Sequence, residues 1–562
     1  DHFDGQHILF SSIDATFNNV VFDNGSVKAN VTISGKERSG FEIKKLAADM
    51  TFTAEQMEFD HLDLITNKSR LRDYYSMRYA SFNYDMNRFL SNVLIEGHFK
   101  DSELNSDDLA FFSPALKSWK KVFYLDGNAK GTVDNFMIKQ MKIRSGKSAV
   151  AGDLVMRGLP DINTTFIDFK SDGLQTNYTD LVTLIPSLKK VTQPNLSRLG
   201  NIYYKGNFTG FINDFVAFGT IITDLGMITA DLNMKLPEKG VPTYSGKLIT
   251  NNFKLGAFTN SSQVGNISMN GKIKGSGFTL KDLKANFDGY IPQVEFNGYN
   301  YNNIHASGDF VNSTFNGHLT IDDPNLSIRS LDGSLSLTGK EIAFNLTADL
   351  ERANLKEMRF SNQNLSLSGQ FSLNFTGNNI DNFLGTAKIY NASLKKDSTY
   401  LSFDSLTLHS TLAGNRKILS LQSNEIDAEV SGTFKILELP DAFKVFLSKY
   451  YPAYIKKPSY WVSNQDLTFS IRTKEIEQYI GLLDSRLSGF NNAAISGSLD
   501  LANYKLNILA DIPAFGYDGK TFTNIFLKGN GNRDTLMTDV TIGDIALSDS
   551  LHFPDTKLLL SS

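Results

Sequence analysis

Val27-Lys28-Ala29-Asn30-Val31-Thr32-Ile33-Ser34 alternates apolar and polar side chains residue by residue, and this alternation decides the fold. A period of two places Val27, Ala29, Val31 and Ile33 on one face of a β-strand and the polar residues on the other. The pattern returns in Phe344, Leu346, Ala348 and Leu350, in Leu365, Leu367, Phe371, Leu373 and Phe375, and in Leu506, Ile508, Ala510 and Ile512. Repeated along the chain, it predicts a very large sheet with one continuous apolar face.

Composition agrees. The 562 residues include 42 Gly, 42 Phe and 21 Tyr, which suits strands joined by turns. The apolar fraction of 41% is enough for a core, so the chain is not disordered. A net charge of −4 with no basic run argues against nucleic acid as the main partner. The absence of cysteine excludes Cys-ligated zinc, iron–sulfur clusters and cysteine nucleophiles. It fits a bacterial envelope or a cytosolic protein equally.

No stretch approaches the roughly 18 consecutive apolar residues of a membrane-spanning helix. The chain opens at Asp1 without methionine and stops at Leu-Leu-Leu-Ser-Ser, so it reads as an interior portion of a longer protein, with any membrane anchor outside it.

No Pro/Gly/Ser linker or charge run divides the sequence. The expectation is one continuous body over 1–562, built of degenerate repeats whose helices start near 107, 180 and 440. Asp108-Leu109 is followed by Gly127, Gly131 and Phe136; Asp180-Leu181 is followed, at matching glycine spacing, by Gly206, Gly210 and Phe215. A looser copy has Gly271, Gly275, Gly277 and Phe278, then Asp282. Units that cannot bury their own apolar face stack into arrays. Two helical stripes stand out: Ala442, Phe443, Phe446, Leu447 and Tyr450, and Ile476, Tyr479, Ile480, Leu483 and Leu487 with Gly489 as a stop. Both are expected to lie on the edge or mouth of the sheet. Asp23-Asn24-Gly25 and Asp332-Gly333 read as hairpin turns, which favour antiparallel neighbours over the parallel coils of a β-helix.

The residues of catalysis do not assemble. Eight scattered histidines form no His-Glu-x-x-His pair, and His61 with Asp63 reads as a surface pair. Gly146-Lys147-Ser148 ends like a phosphate loop, but Met141 stands where its first glycine belongs. Gly529 and Gly531 lack the third glycine of a dinucleotide fingerprint and read as turn glycines. Asp322-Asp323-Pro324-Asn325 reads as a turn, and Asp108 as a helix cap. The expectation is no enzyme, no cofactor and no metal.

The runs Gly206-Asn-Phe-Thr-Gly-Phe-Ile-Asn-Asp-Phe215, Ile221-Ile-Thr-Asp-Leu-Gly226, Gly277-Phe-Thr-Leu-Lys-Asp-Leu283, Phe296-Asn-Gly-Tyr-Asn-Tyr-Asn-Asn-Ile304 and Asp323-Pro-Asn-Leu326 resemble the interior of AsmA-like envelope proteins. The nearest likeness is to the TamB branch, the translocation and assembly module subunit, of Bacteroidota type. It extends over essentially the whole chain but misses that family's N-terminal membrane helix and C-terminal domain.

The resemblance implies an all-β fold, a long twisted antiparallel sheet folded into a taco-like trough with a few short amphipathic helices at its edges. It also implies a periplasmic location, anchored to the inner membrane and reaching an outer-membrane barrel protein of the Omp85 type. The implied work is carriage of phospholipid along the groove or, alternatively, a scaffold or chaperone role in outer-membrane protein insertion. The acyl chains would meet Val27, Val31, Ile33, Ile267, Ile273, Leu335, Leu337, Phe344, Leu346, Leu367, Phe371, Leu373, Phe375, Leu506 and Ile508, read from the alternation as the apolar lining. Ordinary packing of the sheet on itself, as in a sandwich, is the competing reading of those residues.

Overall fold

The computed structural model describes all residues except 1–7, 113–115, 118, 185–194, 238–239, 278–282, 337–340, 398 and 485. Among the described residues the fold is all-β and antiparallel, with 32 strands and a few short helices. It divides into two compact units, Asp1–Asn300 and Tyr301–Ser562.

In the first unit, strands from Phe10–Asp23 to Lys284–Phe296 follow one another as a meander, each bonded antiparallel to its neighbours in the chain. The first turn is the expected one. Asp23 pairs with Ser26, and Asn24 and Gly25 between them have φ of +44° and +79°, the two positive values that a two-residue type I′ hairpin needs. In the second unit the meander runs from the strand Tyr299–Val311, whose first two residues fall in the first unit, to Leu551–Ser561. One strand position is shared: Leu487–Gly489 and Ala494–Asp500 both pair with Lys505–Tyr517. Among the described residues of either unit, no pairing joins its first strand to its last, so neither sheet is a closed barrel.

Asp332-Gly333 is not a turn. Gly333 lies inside the strand Leu326–Ser336, opposite Gly317 and Leu346. Its φ of +139° brings the neighbouring backbone so close that a Cβ would meet Asn345 O at 2.2 Å. Gly529 and Gly531 likewise belong to a strand, Lys520–Gly531.

Bulges interrupt the register repeatedly. In neighbouring strands the breaks fall between Phe99 and Ser102, between Asp126 and Asn128, and between Ile138 and Met141, at facing positions. Asp101 and Gln140 take left-handed φ there, and side chains next door accept the backbone amides that the ladder leaves over. Asp126 takes that of Asp101 at 2.7 Å and Asp153 that of Gln140 at 2.9 Å. Bulges bend a strand and increase its twist, so a row of them marks a line along which a sheet turns.

The first pair of proposed repeats shares a local geometry. Gly131 is the direct partner of Phe136, and Gly210 of Phe215. The two glycines have φ of +136° and +135°, and in each a Cβ would stand 2.7 Å from the partner Cα. The helices that open these repeats are capped by asparagine. Asn105 accepts from Asp107 N at 2.9 Å, and Asn177 from Asp180 N at the same distance. Asp108 is therefore not the cap. Its carboxylate reaches back to the preceding hairpin, accepting from Thr66 Oγ1 at 2.5 Å and Lys68 N at 3.0 Å. Asp180 reaches back in the same sense, accepting from Ser148 Oγ at 2.7 Å and Lys121 Nζ at 2.8 Å. Of the looser copy, Phe278 and Asp282 lie outside the described residues.

The stripe at 442–450 is helical only as far as Leu447, in the helix Leu439–Leu447, with Ala442 and Phe446 wholly buried and Tyr450 in the turn beyond. The second stripe does not continue to Leu487: the helix is Glu477–Leu483, and Leu487–Gly489 is a strand.

Candidate functional site

Strand register turns the alternation into a surface. In the first unit, Ala29, Met50, Phe59, Tyr75 and Gly97 are successive cross-strand partners. The row continues through Ala129, Ile138, Leu154, Phe169 and Phe208. It ends through Ala217, Leu232, Gly246, Ile273 and Phe287. No polar side chain other than the Tyr75 hydroxyl breaks it. A parallel row two residues away runs Val27, Phe52, Met57, Met77, Ile95, Gly131, Phe136, Met156 and Ile167.

The second unit carries its own row. Leu346, Leu373, Ala387, Leu408, Leu421 and Ala428 are successive partners. Ile471, Ile495, Ala510, Leu527, Val540 and Leu558 complete it. The opposite face of the same strands is polar: Asn345, Asn374, Thr386, His409, Ser420, Glu429 and Ser470 face one another in the same order.

Burial separates two kinds of apolar residue on this face. Most of the row, including Ile138, Phe169, Phe208, Leu232, Leu373 and Ile495, is half-buried, while Met50, Phe59 and Tyr75 in the first unit and Ala387 and Leu408 in the second pack against buried clusters. A few positions are packed as true core. Ala29, Val31, Ala48 and Leu62 form one such cluster, with Ile33 against it. Leu467, Leu499, Leu506 and Leu536 form part of another, closed from above by Ala442 and Phe446 of the helix Leu439–Leu447. The helix thus covers one margin of the second unit's apolar face, and Ala387 and Leu408 of the Leu346–Leu558 row pack against the cluster it closes.

The lining residues read from the sequence fall on this face in every described case. Val27 and Ile273 sit in the rows of the first unit, and Ile267 pairs with Phe253 and Val294. Leu346 and Leu373 sit in the row of the second. Phe371 pairs with Ala348 and Ile389, Leu367 with Ala353 and Leu394, and Leu335 with Phe315 and Phe344. Phe344 and Phe375 stack at 4.7 Å between centroids. Ile508 lies between Gly497 and Gly529. Val31, at 2% exposure, and Leu506, at 5%, are core beneath other side chains, unlike the half-buried rows. Leu337 lies outside the described residues. The selection missed Tyr75, Phe169, Phe208, Leu232, Leu408, Ile471 and Leu527, which the same alternation would have found, and the glycines, which it could not.

Charge enters this face at its margin. Lys417, 7% exposed, pairs with Gly432 in the row leading to Leu467. Its ammonium donates to the carbonyls of Ile380 at 3.0 Å and Asp381 at 2.9 Å. Burial pushes its pKa below the usual lysine value, opposed by Asp381 and Glu341.

The polar residues singled out in the sequence have structural partners. Asp323, 1% exposed, closes the turn to Leu326 by accepting from the amides of Asn325 and Leu326 and from Asn302. His61 does not pair with Asp63; it sits in a bulge at φ +52° and meets Asp49 at 2.9 Å, which raises its pKa. Asp63 instead holds Arg70 at 2.7 Å and Lys45 at 3.0 Å. Among the described residues, no three of His, Asp and Glu converge as a metal site, and no helix is long and apolar enough to cross a membrane.

Comparison with family models, with curated proteins and with solved structures finds no match to this chain.

Proposed function

We propose that the apolar rows line an open groove that carries the acyl chains of phospholipids along the sheet, as part of a periplasmic bridge between inner and outer membrane. The observation that carries this reading is the half-buried state of the rows. A face meant only for packing would be capped throughout, as the Leu467–Leu506 margin is by its helix. Leaving so many Leu, Ile and Phe side chains half-open forfeits about 25 cal/mol for each Å² not removed from water. A mobile apolar ligand removes that area from water transiently.

The physics suits lipid. Each methylene transferred to water costs roughly 0.8 kcal/mol, so a two-chain lipid faces a barrier on the order of 20 kcal/mol or more in free solution. A row in which each site resembles the next lowers that cost without a deep minimum anywhere. Headgroups, which cannot enter such a lining without losing their hydration, stay on the open side. The periplasmic setting and an outer-membrane barrel partner rest on the resemblance to AsmA-like proteins.

The test is photo-crosslinking in cells from Leu373, in the row, and from Asn374, on the opposite face. Lipid adducts from Leu373 alone support the groove. A polypeptide trapped at Leu373 instead would favour a scaffold for outer-membrane protein assembly, and no adduct at either position would leave the rows as ordinary core.

A further inference from the structure

The segment after the helix Leu439–Leu447 gathers exposed aromatic residues and lysines within a short stretch. Tyr454 is 90% exposed, Trp461 81% and Tyr460 61%, with Leu437 at 64% close by in sequence. Between them, Lys456 and Lys457 are exposed and make no ion pair among the described residues. From Lys435 to Trp461 the chain carries Lys435, Lys444, Lys449, Lys456 and Lys457 against only Glu438 and Asp441. Both acids are engaged, Glu438 with Lys435 at 2.7 Å and Asp441 with Lys444 at 2.8 Å. The segment is therefore a local positive patch in a chain of net charge −4.

The aromatic residues are presented on a fixed support. Val462 is buried in the core beneath the helix. Ser463 donates from its amide to Glu438 at 2.8 Å, Lys435 N donates to Gln465 Oε1 at 2.8 Å, and the Tyr460 hydroxyl donates to Asp441. Ile455 N closes a turn onto Tyr451 O at 2.9 Å. Large rings held outward from an anchored loop are costly in water, and their cost is recovered where a ring body meets hydrocarbon and its polar tip meets water. That is the chemistry of a bilayer interface, where Tyr and Trp concentrate and lysines meet anionic headgroups.

We propose that Tyr454, Tyr460 and Trp461, with Lys456 and Lys457, form a docking site for an anionic lipid surface. The rings enter the headgroup layer and the ammonium groups meet its phosphates. The site is separate from the apolar rows, and lipid capture at Leu373 and docking at this loop can each fail without the other.

The experiment uses the full chain carrying Trp119→Phe, which leaves Trp461 as the one tryptophan. Vesicles of phosphatidylcholine, with or without phosphatidylglycerol, serve as probe. With phosphatidylglycerol present, Trp461 emission moves to the blue, lipids brominated near the glycerol backbone quench it, and salt weakens both effects. Lys456→Ala with Lys457→Ala lowers partitioning on the order of 30-fold while the unfolding transition stays in place. Tyr454→Ala with Tyr460→Ala weakens it as well. An unchanged Trp461 spectrum, or binding indifferent to phosphatidylglycerol and to both double substitutions, overturns the proposal.

Discussion

The ring of Phe446 occupies space that a side chain on Gly531 would need: a Cβ there would stand 2.6 Å from its Cζ atom. The helix Leu439–Leu447 can settle on the sheet because Gly531 offers bare backbone beneath it. Phe446→Ala removes a wholly buried ring and is expected to destabilise the second unit by about 3–5 kcal/mol. Gly531→Val should lift the helix and expose Leu467 and Leu499. Urea unfolding followed by far-ultraviolet circular dichroism reads the first effect, and hydrogen exchange over 439–447 the second.

Glu438 reports on the same helix through acid. The Lys435 ammonium, then the hydroxyl and amide of Ser463, hold its pKa down to about 2. A carboxyl whose folded pKa is depressed stabilises the fold above its unfolded value near 4.5, and that contribution fades as pH falls through the folded value. Hydrogen exchange over 435–447 should therefore quicken as pH falls from about 4.5 towards 2 relative to the rest of the second unit. Glu438→Gln should flatten that step; an identical step in the variant would assign it to other carboxylates.

Asp108 and Asp180 each fasten a repeat-opening helix to the hairpin before it. Asp108→Ala leaves the Thr66 hydroxyl and Lys68 amide without their acceptor and is expected to cost about 1.5–3 kcal/mol. Faster amide exchange should be confined to 65–70 and 105–110. Asp180→Ala should act in the same way on 145–149, through Ser148 and Lys121.

Under the groove reading, Leu373→Asp places a charge between Leu346 and Ala387 and should abolish lipid crosslinking from neighbouring Leu408. Asn374→Asp, one residue along and on the other face, should leave it intact. Equal loss from both variants would speak against a sided groove. Circular dichroism melts show whether either variant unfolds.

The alternation at Val27–Ser34 carried the fold, because a period of two is enforced by the pleat itself. The Gly131–Phe136 and Gly210–Phe215 pairs were legible as a repeat for a similar reason: a glycine that admits its partner's backbone cannot be exchanged for another residue. Register was not legible, because each bulge adds one residue without a sequence mark, and His61, Asp101 and Gln140 are ordinary polar residues until their φ is known. Gly333 was misread as a turn because Asp-Gly serves a close strand approach as well as a hairpin. The difference between Leu506, sealed under Phe446, and Ile508, two residues on, depends on a helix some sixty residues earlier in the chain. No local pattern contains it.

The meander has a consequence for how the chain is made. Among the described pairings, no partners lie further apart in sequence than Ile426 and Thr473, and most strands bond the one just before them. Each newly synthesised strand finds its template already in place, so the energetic penalty of closing long loops never accumulates with length. Such a chain can assemble in order, from its leading end, while the remainder is still unfolded, with one growing edge in need of protection at any moment.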